Sequence, residues 1–329
     1  MNGVNGDIPN LLDNIRRNAG AEQLLTFYRE LKDHNMELAL HFIQDEHLQF
    51  PSLFILRSDA QTLYSYLPLR SRIALDLARG ILEKNVSAVD DLLHNYRETV
   101  YYALRWMMET GFSDDGLAPE YDRVLDIAAI LLAREYRDRT VLPMIADMIF
   151  KRYKNEGFVY DLLWAFFECH DPYSLFIIAS RFFSTQPKEV ELAKKLLHFI
   201  PGMERNENIS PAQDFDRFQK WFQDNCSFLY CTGESFQQTG SPKPYAVSLE
   251  AKYLCKPVSV DSGAIVQTLT NGEYHNLNTF RKLDDDTRHM LAEYSFQLHQ
   301  RDPGQWKIWM HYPISRQIHI AANGPGGIS

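Results

Sequence analysis

Cysteine and histidine are the residue types through which the second half of this chain could do chemistry. Cys226, Cys231, Cys255 and His275 could together supply four ligands to a zinc ion. The four-residue gap between Cys226 and Cys231 is wider than the usual C-x2-C spacing, and no second close pair follows. The spacing therefore favours partly buried thiols over a metal site, and a Cys226–Cys231 disulfide stays a further alternative.

A cysteine nucleophile needs a histidine nearby to take its proton. The candidate bases are His275, His299, His311 and His319. Many chains contain such a set by chance, and this one lacks the G-x-S-x-G, P-loop, G-x-G-x-x-G and HExxH motifs. The sequence thus favours a protein that is not an enzyme, and it predicts no catalytic residue and no cofactor.

Three aromatic residues near the C-terminus could anchor a partner. Trp306, Trp309 and Tyr312 would do so if they were exposed together, because large aromatic side chains dominate many protein interfaces. The same spacing fits the core of a strand, which we favour.

Three consecutive carboxylates, Asp284, Asp285 and Asp286, could also hold a metal ion. They directly precede a helical pattern, however, where acidic side chains bind the free N–H groups of the first turn. We favour this capping role.

Composition excludes several functional classes. The chain has 329 residues and a net charge of −9, and neither half is basic. Nucleic acids and anionic membrane surfaces both attract basic proteins, so we expect neither as a partner.

The N-terminal ten residues lack the basic and apolar regions of a secretory signal. The longest apolar run, residues 127–133, is far shorter than the roughly 18 residues of a membrane span. Four cysteines suit a reducing compartment. We therefore expect a cytoplasmic protein.

Residues 118–201 must supply the framework, because amphipathic helical segments follow one another there with almost no linker. The pattern predicts helices over residues 121–136, 141–154 and 158–169, and further helices after Asp171 and Pro187. Residues 127–133 and 162–167 are apolar on all sides, so we expect them to be covered on all sides.

Upstream, an apolar stripe predicts one continuous helix over residues 87–110, with Ser87 as N-cap and Gly111 as a left-handed terminator. The 112–119 segment that follows is expected to be a solvated surface loop.

The hydrophobic period changes after Pro201. We predict an α-helical domain over residues 1–201, a small α+β domain over 202–322 and a flexible tail over 323–329. The aromatic stripe of residues 215–222 is expected to be core. In the α+β domain, strands are expected at 245–253, 305–311 and 316–321, with a hairpin turn at Asn271-Gly272.

The segments from Asp138 onward resemble HEAT or armadillo-type helical repeats. The resemblance covers roughly residues 118–201 and depends on pattern, with no invariant motif. The matching positions are Asp138, Arg139, Val141, Asp171, Ser174, Ala179, Lys188, Glu189, Val190 and Ala193. It implies a mainly α fold whose helices form a solenoid or an irregular bundle, with a surface for proteins or peptides.

We therefore expect a non-enzymatic interaction or scaffold protein whose helical domain binds a protein or peptide partner. The alternative is an enzyme or small-ligand sensor with a pocket in the α+β domain or at the domain interface, lined by Glu234, His275 or His311.

Overall fold

A computed structural model describes residues 10–203 and 210–323. These residues form nineteen α-helices and two short strands, so the fold is mainly α. The chain divides into two compact units, Met1–Cys169 and His170–Ser329. No helix in the described parts of the chain is both long and apolar enough to span a bilayer.

The first unit is all helical. Its helices are α1 Leu11–Ala19, α2 Ala21–His34, α3 Met36–Gln44, α4 Phe50–Ile55, α5 Arg57–Gln61, α6 Leu69–Leu82, α7 Val86–Asn95, α8 Arg97–Gly111, α9 Pro119–Arg134, α10 Leu142–Lys154 and α11 Tyr160–Glu168. Helix α9 packs against α6, α8 and α11. Its 127–133 stretch contains no exposed residue, which confirms the expected coverage.

The prediction of a single helix over residues 87–110 is wrong. The chain breaks at Tyr96, where φ is −132° and ψ is 35°, and α7 begins after Asn85, whose side chain accepts a hydrogen bond from the backbone N–H of Ala88. The break lets both halves pack on α6, whereas a straight helix of this length would run roughly 36 Å in one direction.

Gly111 is not a left-handed terminator either, because its φ is −112°. A β-carbon at this position would lie 2.5 Å from the hydroxyl oxygen of Tyr121. That hydroxyl donates a hydrogen bond of 3.0 Å to the carbonyl of Gly111. Glycine is thus needed for close packing between α8 and α9.

The second unit is also mainly helical. Its elements are α12 Ser174–Ala179, α13 Pro187–Leu196, α14 Pro211–Asn225, β1 Leu229–Cys231, β2 Tyr245–Val247, α15 Leu249–Tyr253, α16 Asn271–Phe280, α17 Asp285–Arg301, α18 Pro303–Met310 and α19 Ile314–Asn323. The two strands pair antiparallel, with Tyr230 opposite Ala246.

The division between compact units lies before the boundary expected at residue 201. The ring of Phe176 on α12 lies 4.8 Å from the rings of both Phe218 and Phe222 on α14. Lys194 and Asp214 form an ion pair of 2.8 Å. Residues after His170 therefore pack with α14, and the aromatic stripe is core as expected.

Several strand predictions are wrong. The alternating stretch 245–253 stops at Ser248, which caps α15 by accepting a hydrogen bond from the N–H of Ala251. Asn271 and Gly272 open α16, because Thr270 and Glu273 form a capping box. In each case a cap supplied by the preceding side chain starts a helix.

The two strands expected at the C-terminus, 305–311 and 316–321, are helices as well. Asp302 accepts a hydrogen bond of 2.9 Å from the N–H of Gln305, and Pro303 occupies the first turn of α18. Asp284 likewise caps α17, accepting 2.8 Å from the N–H of Thr287. This confirms the capping interpretation of the acidic triplet.

Candidate functional site

The three C-terminal aromatic residues do not form an exposed patch. Trp309 is buried, and its ring lies 5.4 Å from that of Tyr294. Trp306 donates a hydrogen bond of 2.8 Å to the hydroxyl of buried Ser295, and Tyr312 packs against the same core. These residues pack in the second unit, Trp306 and Trp309 on α18 and Tyr312 in the bend after it, and not on the expected strand.

The polar candidates of the second unit do not converge either. Glu234, His275 and His311 are all exposed, on a loop, on α16 and at the end of α18. The carboxylate of Glu234 accepts a hydrogen bond of 2.9 Å from the backbone N–H of Lys243.

The cysteines form neither a disulfide nor a metal centre among the described residues. Cys226, Cys231 and Cys255 are half-buried thiols that form no disulfide among the described residues. No group of three His, Cys, Asp or Glu side chains suited to a metal occurs within residues 10–203 and 210–323. Burial raises the pKa of the Cys255 thiol to about 11, which disfavours the reactive thiolate.

One polar cluster in the first unit joins the 112–118 segment to α9 and α10. Arg152 on α10 donates from Nε to both carboxylate oxygens of Asp115 at 3.0 Å, and from Nη1 to Asp126 on α9 at 3.0 Å. The side chain of Asp115 is only 2% exposed. We call Asp115, Asp126 and Arg152 the Arg152 cluster. The segment expected to be a solvated loop is therefore anchored.

Burial has the largest effect on the pKa of Asp126 in this cluster. Desolvation raises the pKa of Asp126 to about 6, against the lowering effect of Arg152. A cleft of about 320 Å³ opens beside it, also lined by Asp122 and Lys151. Since Arg152 pairs with both cluster carboxylates, the charges hold the fold together and leave little attraction for a ligand.

The surface of α6 is different, because Glu83 and Asp91 beside it have no charged partner within the residues that the structure describes. The two helices approach closely at Gly80, where a β-carbon would lie 2.9 Å from Cγ2 of Val89. Between them, Lys84 adopts a left-handed φ of 56°, and the N–H of Asn85 donates a hydrogen bond of 2.8 Å to the carbonyl of Gly80. Helix α7 nevertheless lies at the surface, since none of its residues is fully buried.

Two clefts flank the outer ridge of α6. The α7 cleft, about 410 Å³, lies between α6 and α7, and its lining includes Glu83, Ala88, Asp91, Leu92 and Tyr96. The α5 cleft, about 380 Å³, lies between α5 and α6, and its lining includes Arg57, Leu75, Ala78 and Leu82. Arg79 and Glu83 line both, so they form the ridge.

A hydrogen-bond network fixes the ridge. Arg79 donates from Nη2 to Gln61 of α5 at 2.7 Å and to Asp76 at 3.2 Å. Tyr64 donates its hydroxyl proton to Asp76, and burial together with this carboxylate raises the pKa of Tyr64 to about 12. The ridge is thus held in place on the α5 side.

Comparisons of the chain with models of protein families, with curated proteins and with solved structures found no match. The geometry alone therefore guides the choice of site. The α5 and α7 clefts combine apolar side chains with charged rims.

Sequence reasoning missed this site, although one signal was present. Gly80 is an isolated glycine inside the helical pattern of residues 69–84, and such a glycine can have a packing reason. A similar signal accompanies the Arg152 cluster, because Asp126 interrupts an apolar run.

Gly80→Ala should lower stability by about 1 to 2 kcal/mol, because overpacking against Val89 outweighs the helix preference of alanine. Val89→Ala removes the obstructing methyl groups. In that background, Gly80→Ala should be neutral or stabilising by up to about 1 kcal/mol. Denaturant unfolding of the four proteins measures the coupling, and additive effects would contradict the close contact.

Asp126→Asn should change the pH dependence of stability. Because folding raises the pKa of Asp126, its protonated form stabilises the fold at low pH, and this contribution is lost as the pH rises through about 6. The free energy of unfolding of the variant minus that of the wild type should therefore rise by about 2 to 3 kcal/mol between about pH 4 and pH 7. Urea unfolding at several pH values measures this, and a difference that does not change with pH would contradict the raised pKa of Asp126.

Proposed function

We propose that the chain is a non-catalytic interaction protein, and that its first unit binds a polypeptide partner across the ridge of α6. The observation that carries this proposal is the pair of clefts on either side of that ridge. They have apolar floors, formed by Leu75, Ala78 and Leu82 on one side and by Ala88 and Leu92 on the other.

Exposed apolar side chains at the α7 end support the proposal. Val86 is 70% exposed and Tyr96 is 51% exposed, at the two ends of α7. Tyrosine is enriched among the residues that carry binding energy in protein interfaces. A partner that covered Tyr96 and filled the α7 cleft would bury apolar surface that this helix leaves accessible to water.

The proposal includes the helical-repeat interpretation, in which successive helices stack and share a binding surface. Its support is local packing: α6 lies against α7 and α8, and α8 lies against α9. The alternative of a small-ligand site at Glu234, His275 and His311 is not favoured, because all three side chains are exposed on different elements and none of them lines either cleft.

Peptide display tests the proposal. A library of random peptides of about 16 residues, long enough for roughly four helical turns, is selected on the immobilised full-length chain. Peptides that are enriched should then bind the purified protein in solution and lose most of that binding in Ala88→Arg, because the long side chain would fill the α7 cleft.

Ser87→Arg is the matched control, since it adds the same side chain to the same helix one residue outside the cleft lining. It should leave binding unchanged, and thermal unfolding of both variants verifies that α7 is intact. Failure to enrich any peptide, or equal binding to both variants, would contradict the proposal.

A further inference from the structure

The unpaired charges around α6 specify the chemistry of the partner, given the proposed function. On the α7 side, the carboxylates of Glu83 and Asp91 are exposed, and neither has an ion-pair or hydrogen-bond partner within the described residues. Asp76, which also lines this cleft, is already bound by Arg79 and Tyr64. The α7 cleft therefore carries uncompensated negative charge.

The outer rim of the α5 cleft carries a free positive charge, whereas Glu83 belongs to the ridge that both clefts share. The guanidinium of Arg57 donates a hydrogen bond of 3.0 Å to the carbonyl of Phe54 and lies 4.3 Å from the centre of the Phe54 ring. It has no carboxylate partner in the part of the chain that the structure describes. The Phe54 ring holds this cation at the rim of the α5 cleft.

We propose that the partner is an amphipathic α-helix that crosses α6, with a basic side chain in the α7 cleft and an acidic side chain in the α5 cleft. Glu83 and Asp91 would pair with the basic group, and the exposed ring of Tyr96 offers it a cation–π contact. Arg57 would pair with the acidic group. The partner's apolar residues between them would cover Leu82 and the ridge.

Helix geometry sets the spacing. Packed helices lie about 8 to 10 Å apart, so clefts on opposite flanks of α6 are separated by roughly 10 Å. Two residues seven positions apart on a helix are separated by about 10.5 Å and lie on one face. The acidic and basic residues of the partner should therefore be about seven positions apart.

The unpaired carboxylates also disfavour other classes of partner. Glu83 and Asp91 would repel the phosphates of a nucleic acid or the headgroups of an anionic membrane. A peptide with two acidic residues would meet them unfavourably, and one with two basic residues would leave Arg57 facing a like charge.

The experiment uses three display libraries on one amphipathic helical scaffold, each with two fixed residues seven positions apart. The fixed pair is glutamate and lysine, two glutamates, or two lysines, and the apolar positions are randomised. With the wild-type chain, the mixed-charge library should be enriched. Its best peptides should bind at least about tenfold more tightly than the versions with two like charges, and added salt should reduce the difference.

The double variant Glu83→Lys/Asp91→Lys should reverse this preference and select the two-glutamate library, since both clefts would then be basic. Glu22→Lys/Glu37→Lys is the matched control, because it makes the same charge change at exposed positions on α2 and α3. It should keep the wild-type preference.

The outcomes separate the two proposals. Peptides that bind at the α7 cleft without any charge preference would overturn this inference and leave the proposed function standing. No enrichment from any library would overturn both. If Glu83→Lys/Asp91→Lys instead dissociated oligomers of the chain in sedimentation measurements, the occupant would be a second copy, and the inference of a separate helical partner would be wrong.

Discussion

The close approach of α7 to α6 depends on the absence of a side chain at Gly80. Val89 occupies the space that a β-carbon would take, and α7 packs on α6 although none of its own residues is fully buried. The left-handed turn at Lys84 and the cap at Asn85 then set where α7 begins. The walls of the α7 cleft follow from this geometry, because Glu83 lies before the turn and Asp91 after it.

The first unit contains two contrasting groups of charged residues. In the Arg152 cluster, one guanidinium pairs with the buried carboxylate of Asp115 and the partly buried carboxylate of Asp126 and joins three chain segments, so the charges contribute to the fold. Removing one partner from such a cluster leaves a buried charge without compensation. Around α6, Glu83, Asp91 and Arg57 lie at the rims of the clefts and have no partners of opposite charge among residues 10–203 and 210–323. Charges of this second kind can contribute to binding, because the partner can supply the missing counter-charge.

Much of the N-terminal fold could be predicted from the sequence. The periodic apolar patterns placed α9, α10 and α11 within a few residues, and the coverage of residues 127–133 followed from their composition. The break at Tyr96 could not be read from the stripe, since the apolar period continues across it. It arises because α7 and α8 each pack against α6, which is tertiary information.

The errors in the C-terminal half have a common physical cause. Residues 245–253 and 305–311 contain enough aromatic and β-branched residues to suggest strands, but Ser248 and Asp302 cap helices there. Thr270 and Glu273 carried a capping-box signal that outweighs the Asn-Gly turn signal. The candidate site was beyond sequence reasoning for another reason: α5, α6 and α7 enclose the clefts together, and no single segment contains a motif for them.

The most direct test of the account is methyl NMR spectroscopy of the full-length chain with a peptide selected for binding. If a helix binds across α6, the largest chemical-shift changes should occur at the methyl groups of Leu82, Ala88 and Leu92, which line the two clefts. The leucines of α11, Leu162 and Leu163, should be little affected. Changes centred on α11 or on the second unit, with Leu82 and Leu92 unmoved, would contradict the account.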